Sequence, residues 1–154
     1  MKFQTKGLDR WVRNLEAIGN PYAAEAYIKQ AIKDGSDVVA DATRSELSKL
    51  TVDNRPYVPE GRKGILQVQK DALLESFGIS EIQDKNGFLN DKTGVRRGKN
   101  KLGQPHVVIA RRLEHGTSYM PKNPVFSRAT RKSRRECIKV MQESLSKAIR
   151  ELMR

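Results

Sequence analysis

The chain has 154 residues, of which 37% are hydrophobic and 31% charged, which is enough for one modest core and too little for a two-domain dehydrogenase or a TIM barrel. No apolar run approaches the ~18 residues that a membrane span needs, and the first residues lack the apolar stretch of a signal peptide. A single cysteine excludes an internal disulfide framework and a zinc site built from cysteines. We therefore expect one domain over residues 1–154, made in a reducing cytoplasm, with no membrane contact.

Positive charge is concentrated in the last two-fifths of the chain. Lys and Arg outnumber Asp and Glu by 30 to 18, so the net charge is +12. Residues 1–91 carry a net charge of −1, whereas residues 92–154 carry +13. A field of this kind attracts polyanions, so nucleic acid and an acidic protein surface are both candidate partners at this point.

Hydrophobic periodicity predicts two helices in the first third of the chain. A short helix over residues 7–18 follows a strand at Phe3 and ends at Gly19-Asn20. One long helix over residues 21–51 comes next, and two helices broken near Gly35 are the alternative. Small side chains let another backbone approach closely, so we expect one face to pack tightly against a sheet, a helix or a neighbouring copy. That face, at roughly 3.5-residue spacing, comprises Ala24, Ile28, Ala31, Gly35, Val38, Ala42 and Ser45.

A loop and a third helix are predicted to follow. Residues 54–61 form a loop by composition, because two prolines and a glycine lie close together. Residues 63–77 return to a helical pattern, and Gly78 is a candidate C-cap. The apolar anchors of this helix are Ile65, Leu66, Val68, Leu73, Leu74 and Phe77.

A small, mostly antiparallel sheet is predicted in the middle of the chain. Residues 79–84 are a candidate strand, and Asn86-Gly87 is the strongest short signal for a hairpin. Residues 90–105, with three glycines among basic side chains, bury little and are predicted to form a long mobile basic loop. Residues 107–110 are apolar without alternation, which favours a short strand buried on both faces.

A Gly/Pro loop over residues 116–125 leads to a second long helix over residues 125–154. Together these elements predict an α+β fold, in which two long helices pack on a small sheet with a long basic loop. The apolar stripe of the second long helix comprises Ile138, Met141, Leu145, Ala148 or Ile149, and Leu152. Its basic stripe, about a quarter-turn away, comprises Arg128, Arg131, Lys132, Arg135 and Lys139.

Residues typical of catalysis or metal binding are sparse. His106 at a strand start and His115 in a turn are the only histidines, and no second ligand set lies beside them. Ser118 and Cys137 lack a nucleophile signature, and Cys137 is expected to be a partly buried thiol. No glycine-rich loop is followed by the Lys-Ser/Thr pair that binds phosphate. We expect no enzyme activity, no cofactor and no metal; an enzyme whose site the sequence does not reveal is the alternative.

Two basic clusters are candidates for contact with phosphates or with an acidic protein. Aromatic side chains are few near either cluster, and no helix-turn-helix spacing is present. Any contact with DNA is therefore expected to be independent of base sequence. The clusters are Arg96, Arg97 and Lys99 in the predicted loop, and Arg128, Arg131, Lys132 and Arg135 in the predicted helix.

The most particular stretch is residues 109–126, Ile-Ala-Arg-Arg-Leu-Glu-His-Gly-Thr-Ser-Tyr-Met-Pro-Lys-Asn-Pro-Val-Phe. It has the pattern of a strand end or helical turn, a glycine bend, and a proline-bounded loop that leads into a helix. Glu114 is predicted to cap the turn at Gly116 or to pair with Arg111 or Arg112. The apolar side chains expected to fix this loop to the core are Met120 and Phe126.

This stretch resembles the tail-completion, or head–tail joining, proteins of long-tailed bacteriophages, which are short relatives of the lambda minor tail protein Z. That family typically shows an aliphatic-Ala-x-x-aliphatic-Glu-x-Gly-Thr segment, a small-x-Met-Pro step, and a Pro-Phe pair entering a C-terminal helix. The chain matches at residues 113–118, at Met120-Pro121 and at Phe126, with Val125 inserted after Pro124.

The resemblance implies a structural protomer of a ring in the virion neck, assembled in the bacterial cytoplasm and without catalysis. Its partners would be further copies of itself, the head-closure or connector ring, and tail terminator or tail tube proteins. DNA would pass through the bore with at most non-specific contact, so we expect the basic residues to face protein. A small sequence-independent nucleic-acid-binding protein is the alternative. The candidate contact residues are Glu114, Gly116, Thr117, Met120, Pro121 and Phe126 in the motif, with Arg96, Arg97, Lys99, Arg128, Arg131, Lys132 and Arg135 as basic contacts.

Overall fold

A computed structural model describes residues 21–55, 61, 63–85 and 87–152. The predicted strand at Phe3 and helix over residues 7–18 lie outside the described residues, as does most of the predicted loop at 54–61. The described part has an α+β architecture, as the sequence predicts. Its elements are α1 (Pro21–Ser48), α2 (Gln67–Ser76), β1 (Phe77–Ile79), β2 (Gln83–Lys85), β3 (Phe88–Asn90), β4 (Thr93–Val95), α3 (His106–His115) and α4 (Val125–Leu152).

The strands form two small antiparallel sheets. Strand β1 pairs with β4, and β2 pairs with β3 as a hairpin in which Asp84 lies opposite Leu89 and Lys85 opposite Phe88. Gly87 has a φ of 79° in the hairpin turn, and its N–H donates a hydrogen bond of 2.9 Å to Asp84 Oδ1. The predicted hairpin is confirmed, and the predicted strand over residues 79–84 is replaced by β1 and β2 with a gap between them.

The chain divides into two compact units, and each long helix contributes residues to both. The first unit comprises the described residues within 21–39, 79–92 and 133–152, and the second comprises those within 40–78 and 93–132. The first unit has a core of Ala24, Ala31 and Leu145 and a second cluster of Val39, Cys137 and Met141. The second unit buries Leu47, Ile65, Leu73, Phe77, Ile109, Leu113, Val125 and Ala129.

Helix α1 is unbroken, and its small residues pack within the chain rather than on a neighbouring copy. Ala31 packs with Leu145, and a Cβ atom on Gly35 would lie 2.5 Å from Met141 Cγ and 2.8 Å from its Sδ. The predicted stripe is correct through Val38, which packs against the cluster of Val39, Cys137 and Met141, whereas Ala42 is only half-buried and Ser45 is exposed. An α-helix repeats every 3.6 residues rather than 3.5, so the buried positions drift forward along the chain. The later buried residues are Val39, Ala40, Thr43, Glu46 and Leu47.

Gly35→Ala is expected to destabilise the first unit by about 1–2 kcal/mol, because overpacking against Met141 outweighs a gain of about 1 kcal/mol in helix propensity. Urea unfolding of the two proteins measures the difference. Met141→Ala removes the two nearest atoms that the new methyl group meets and leaves Cys137 Sγ at 3.2 Å, so most of the cost of Gly35→Ala should vanish in that background. Equal costs in both backgrounds would contradict this packing.

The predicted strand at residues 107–110 is wrong, because these residues belong to helix α3. Ile109 and Leu113 are buried at i and i+4, whereas Val107 and Val108 are 51% and 38% exposed. A run of four apolar residues fits a strand and a helix equally well, and here the longer helical spacing decides. His106 is thus the first residue of a helix rather than the start of a strand.

Residues 90–105 contain a strand and a hydrogen-bonded turn, whereas the sequence predicts a loop that buries little. The strand is β4, and the turn lies around Asn100, which is 9% exposed. The Asn100 side-chain oxygen accepts hydrogen bonds from the N–H groups of Leu102 at 3.0 Å and Gln104 at 2.9 Å. Gln69 of α2 also donates a hydrogen bond of 2.8 Å to the Gln104 side chain, and this bond joins the turn to α2 within the second unit.

The boundaries of the third predicted helix also differ. It begins at Gln67 rather than at residue 63, because Ile65 pairs with Val52 in an isolated parallel bridge. Gly78 is not a C-cap: the helix ends at Phe77, and Gly78 lies inside β1. The loop before this helix is organised by Asp53, which accepts hydrogen bonds from Arg55 and Lys63; the Arg55 contact holds the Asp53 pKa well below its usual range.

Candidate functional site

The segment that carries the sequence motif joins α3 to α4 in the second unit. Residues 116–124 are called the connector below. Ile109 and Leu113 of α3 are buried, and so are Val125 and Ala129 of α4. Both helix ends that flank the connector are therefore fixed in the core, and the connector spans between two rigid points.

Glu114, in the last turn of α3, caps the N-terminus of α4. Its carboxylate accepts hydrogen bonds from the N–H groups of Phe126 at 3.1 Å and Ser127 at 3.0 Å, and from the Ser127 hydroxyl. First-turn N–H groups have no partner inside their own helix, and the helix dipole favours a negative charge at this end. Both predicted roles of Glu114, capping the turn at Gly116 and pairing with a neighbouring arginine, are wrong.

Replacing Glu114 should therefore destabilise the fold through α4. We expect Glu114→Gln to cost about 1 kcal/mol, because one amide oxygen still accepts, and Glu114→Ala about 2 kcal/mol, because no acceptor remains. Thermal and urea unfolding measure both values. Glu136→Ala, at an exposed position of α4, is the matched control and should change stability little. A Glu114→Ala protein as stable as the control would contradict the capping role.

Gly116 begins the connector in a conformation that needs glycine. It is the C-cap of α3 with a φ of 78°, and its N–H donates to the Arg112 carbonyl at 2.7 Å. A Cβ atom at this position would lie 2.9 Å from Lys122 N. Thr117 and Met120 then close a tight turn, in which the Thr117 N–H donates to the Met120 carbonyl at 2.8 Å. These residues thus bend the chain back toward α4.

The far end of the connector returns to α3 and to the core. The Asn123 N–H donates to the Leu113 carbonyl at 2.9 Å, and the Arg128 guanidinium donates to the Asn123 side chain. The Phe126 ring packs on the buried Phe77 ring with centroids 6.1 Å apart, so Phe126 fixes the loop to the core as predicted. The exposed members of the connector include Thr117, Tyr119 and Pro121, and Met120 is half-buried.

Glu46 of α1 binds two of the predicted basic contact residues. Its side chain is only 9% exposed, and its oxygens lie 2.8 Å from Arg128 Nε and 3.0 Å from Lys132 Nζ. The hydrogen bond from Lys132 holds the Glu46 pKa below its ordinary value of 4.5. Arg128 and Lys132 thus have an internal partner, which the sequence did not reveal because Glu46 lies more than 80 positions away in the chain.

This cluster predicts a pH dependence of stability. A carboxyl whose pKa is lower in the folded than in the unfolded state stabilises the fold above the unfolded value and loses that effect as pH falls. We expect Glu46→Gln to be destabilised at neutral pH, with the difference from the parent shrinking as pH falls below 4.5. Thermal unfolding across this range, with Glu136→Gln as the matched charge control, measures it. A difference that stays constant with pH would contradict the pairing.

The other predicted basic contacts are exposed. Arg131 and Arg135 lie four residues apart on α4, and Arg134, which the sequence reading did not single out, lies between them. None of these three makes an ion pair with a carboxylate of the described residues. The same holds for Arg96, Arg97 and Lys99, which follow β4 and precede the Asn100 turn. The structure therefore leaves free cations on α4 and in the segment after β4.

No cluster of three or more His, Cys, Asp or Glu side chains suited to a metal ion occurs in the described residues. Cys137 is buried, as predicted, and burial together with the nearby Asp91 raises the pKa of its thiol. His115 ends α3, and His106 begins it with Nδ1 buried beside Gly98.

Comparison with known proteins gives no relative from which a function could be inferred. No protein-family model, no curated protein and no solved structure matches this chain. Among the described helices, none combines the length and the hydropathy that crossing a membrane requires.

Proposed function

We propose that this chain is a structural protein of the bacteriophage neck, where copies form a ring that completes the tail and joins it to the DNA-filled head. The proposal starts from the resemblance of residues 109–126 to tail-completion proteins. The observation that carries it is the capping of α4 by Glu114, because the Glu, Thr, Met and Phe positions of that motif hold the connector and the start of α4 together by hydrogen bonds and packing.

The distribution of charge supports contacts with protein on α4. Glu46 pairs with the cations nearest the connector, Arg128 and Lys132, whereas Arg131 and Arg135 are exposed and have no ion-pair partner in the described residues. Two like charges four residues apart on a helix repel each other. An acidic surface of a neighbouring ring would remove that repulsion and add charge-assisted hydrogen bonds. The mechanism is then geometric: the connector fixes α4, and α4 presents its cations to the adjacent ring.

The test is whether the protein is in the particle and whether particles need it. Quantitative mass spectrometry of purified phage particles should find the chain at low copy number. Electron microscopy of a strain that lacks the gene should show full heads and separate tails. Normal particles that form without the chain would overturn the proposal.

A second candidate is sequence-independent binding of nucleic acid, which the unpaired Arg131, Arg134 and Arg135 favour. Phosphate contacts release counterions, so such binding is tight at low salt and weakens steeply as salt rises. Titration of duplex DNA at several salt concentrations separates the two candidates. Sub-micromolar binding with a steep salt slope would favour nucleic acid, and micromolar or weaker binding at physiological salt would favour the neck protein.

A further inference from the structure

The exposed face of α3 forms a groove lined by one aliphatic side chain, Val108, and by two arginines, Arg111 and Arg112; the valine is called the floor and the arginines the rim below. Val108, Arg111, Arg112, His115 and Gly116 line a volume of about 410 Å³. Val108 is 38% exposed, which leaves part of an aliphatic side chain open to solvent in a helix whose opposite face is buried. This surface is called the α3 groove below.

The two arginines of the groove are free because Glu114 is engaged elsewhere. A carboxylate in the same turn is the natural neighbour for Arg111 or Arg112, but Glu114 is held at the N-terminus of α4. Neither guanidinium makes an ion pair within the described part of the chain. An occupant of the groove should therefore carry carboxylates for the two arginines and an apolar side chain for Val108.

The chain itself presents a surface of this chemistry on α2. Asp71 and Glu75 are exposed and lie four residues apart on one face of the helix. The aliphatic side chain of Leu74 lies next to Glu75 and is only half-buried. This acidic and partly apolar surface is called the α2 face below. Its charge is opposite to that of the α3 groove, and each of the two surfaces lies on one short helix.

We propose that the α2 face of one copy docks in the α3 groove of a second copy. The carboxylates of Asp71 and Glu75 bind the rim arginines, and Leu74 covers the exposed part of Val108. Because the two surfaces differ, the contact is heterologous and leaves one free surface of each kind at the ends of a dimer. Repeated contacts of this type close into a ring when the rotation allows it. The inference rests on the proposed function for its role in the virion, where it names the contact between ring neighbours.

Complementary variants test the contact in the purified full chain. Arg111→Glu/Arg112→Glu reverses the charge of the α3 groove, and Asp71→Lys/Glu75→Lys reverses the charge of the α2 face. By sedimentation velocity, the parent should associate as its concentration rises, and each double variant should remain a monomer. An equimolar mixture of the two should associate again, because the native groove of one variant binds the native α2 face of the other, and their reversed surfaces are also opposite in charge. Lys147→Glu/Arg150→Glu, at exposed positions of α4, makes the same change of net charge as the groove variant and should associate like the parent.

Several outcomes would overturn the inference. A parent that stays monomeric over the whole accessible concentration range would do so, as would association that survives either double variant. Failure of the proposed function is distinguishable from failure of this contact. Association that obeys the complementation pattern while the chain is missing from particles would leave the contact standing and remove the neck role. Joined particles made with Arg111→Glu/Arg112→Glu protein would leave the neck role standing and remove the contact.

Discussion

Reversing the charge of Arg131 and Arg135 should leave full heads and unjoined tails, as in a strain that lacks the gene. Both guanidinium groups are exposed on α4 and unpaired within the described residues, so Arg131→Glu/Arg135→Glu removes two cations offered to a partner. Charge reversal also places carboxylates against an acidic surface, and like charges across an interface oppose association strongly. We expect the yield of infectious particles to fall by orders of magnitude, measured by plaque titre after complementation of the deletion strain.

The same variant should fold as well as the parent. A repelling pair of arginines four residues apart is replaced by a repelling pair of glutamates, so the intrahelical energy changes little. Thermal unfolding should therefore place the variant within about 0.5 kcal/mol of the parent. Lys147→Glu/Arg150→Glu makes the same change of charge at exposed positions of α4 and should support joining. Normal particles made with the first variant would show that these arginines do not bind the adjacent ring.

The two long helices and the hairpin were predictable because each has a strong local signal. Apolar residues at helical spacing identify α1 and α4, and Asn-Gly identifies the turn between β2 and β3. Beyond Gly35 the residues assigned to the buried stripe of α1 lie beside the most buried positions, because a small error in helical period accumulates over many turns. Val39 is buried, whereas the predicted Val38 is only half-buried.

Helix α3 was not predictable from local sequence, because Val107 to Ala110 is compatible with a strand or a helix. The choice depends on Ile109 and Leu113 finding a core to bury in, which is a property of the whole second unit. Pattern alone therefore placed a strand where the chain forms the first turn of a helix.

The residues of the candidate site were predictable from the sequence, but the contacts that they make were not. Glu114, Gly116 and Phe126 can be identified from the sequence, because a single carboxylate, a glycine and two prolines interrupt an otherwise basic segment. Their roles depend on partners that are distant in the chain: Glu114 binds the start of α4, and Arg128 binds Glu46 of α1. Such pairings depend on the tertiary fold, so sequence spacing alone predicted only short-range alternatives.

The conformation of Gly116 gives the largest expected effect on stability. Gly116→Ala places a methyl group at a φ of 78° and a ψ of 174°, a region that is almost restricted to glycine, and 2.9 Å from the backbone nitrogen of Lys122. The neighbour is backbone held inside the connector, so it cannot move aside as the end of a flexible side chain would. We expect a loss of about 3 kcal/mol in the free energy of unfolding, measured by urea titration.

Gly103→Ala is the control for a positive φ without a close contact. Gly103 has a φ of 74°, and nothing lies within 4 Å of the Cβ that alanine would add. This control should therefore cost only about 1–2 kcal/mol, from backbone strain alone. The additional cost at Gly116 then measures the combined effect of its ψ of 174° and the close approach to Lys122. Adding Glu114→Ala to Gly116→Ala should cost less than the sum of the two, because a displaced connector already weakens the cap of α4. Equal costs at Gly103 and Gly116, or strict additivity with Glu114→Ala, would show that the connector does not hold α4.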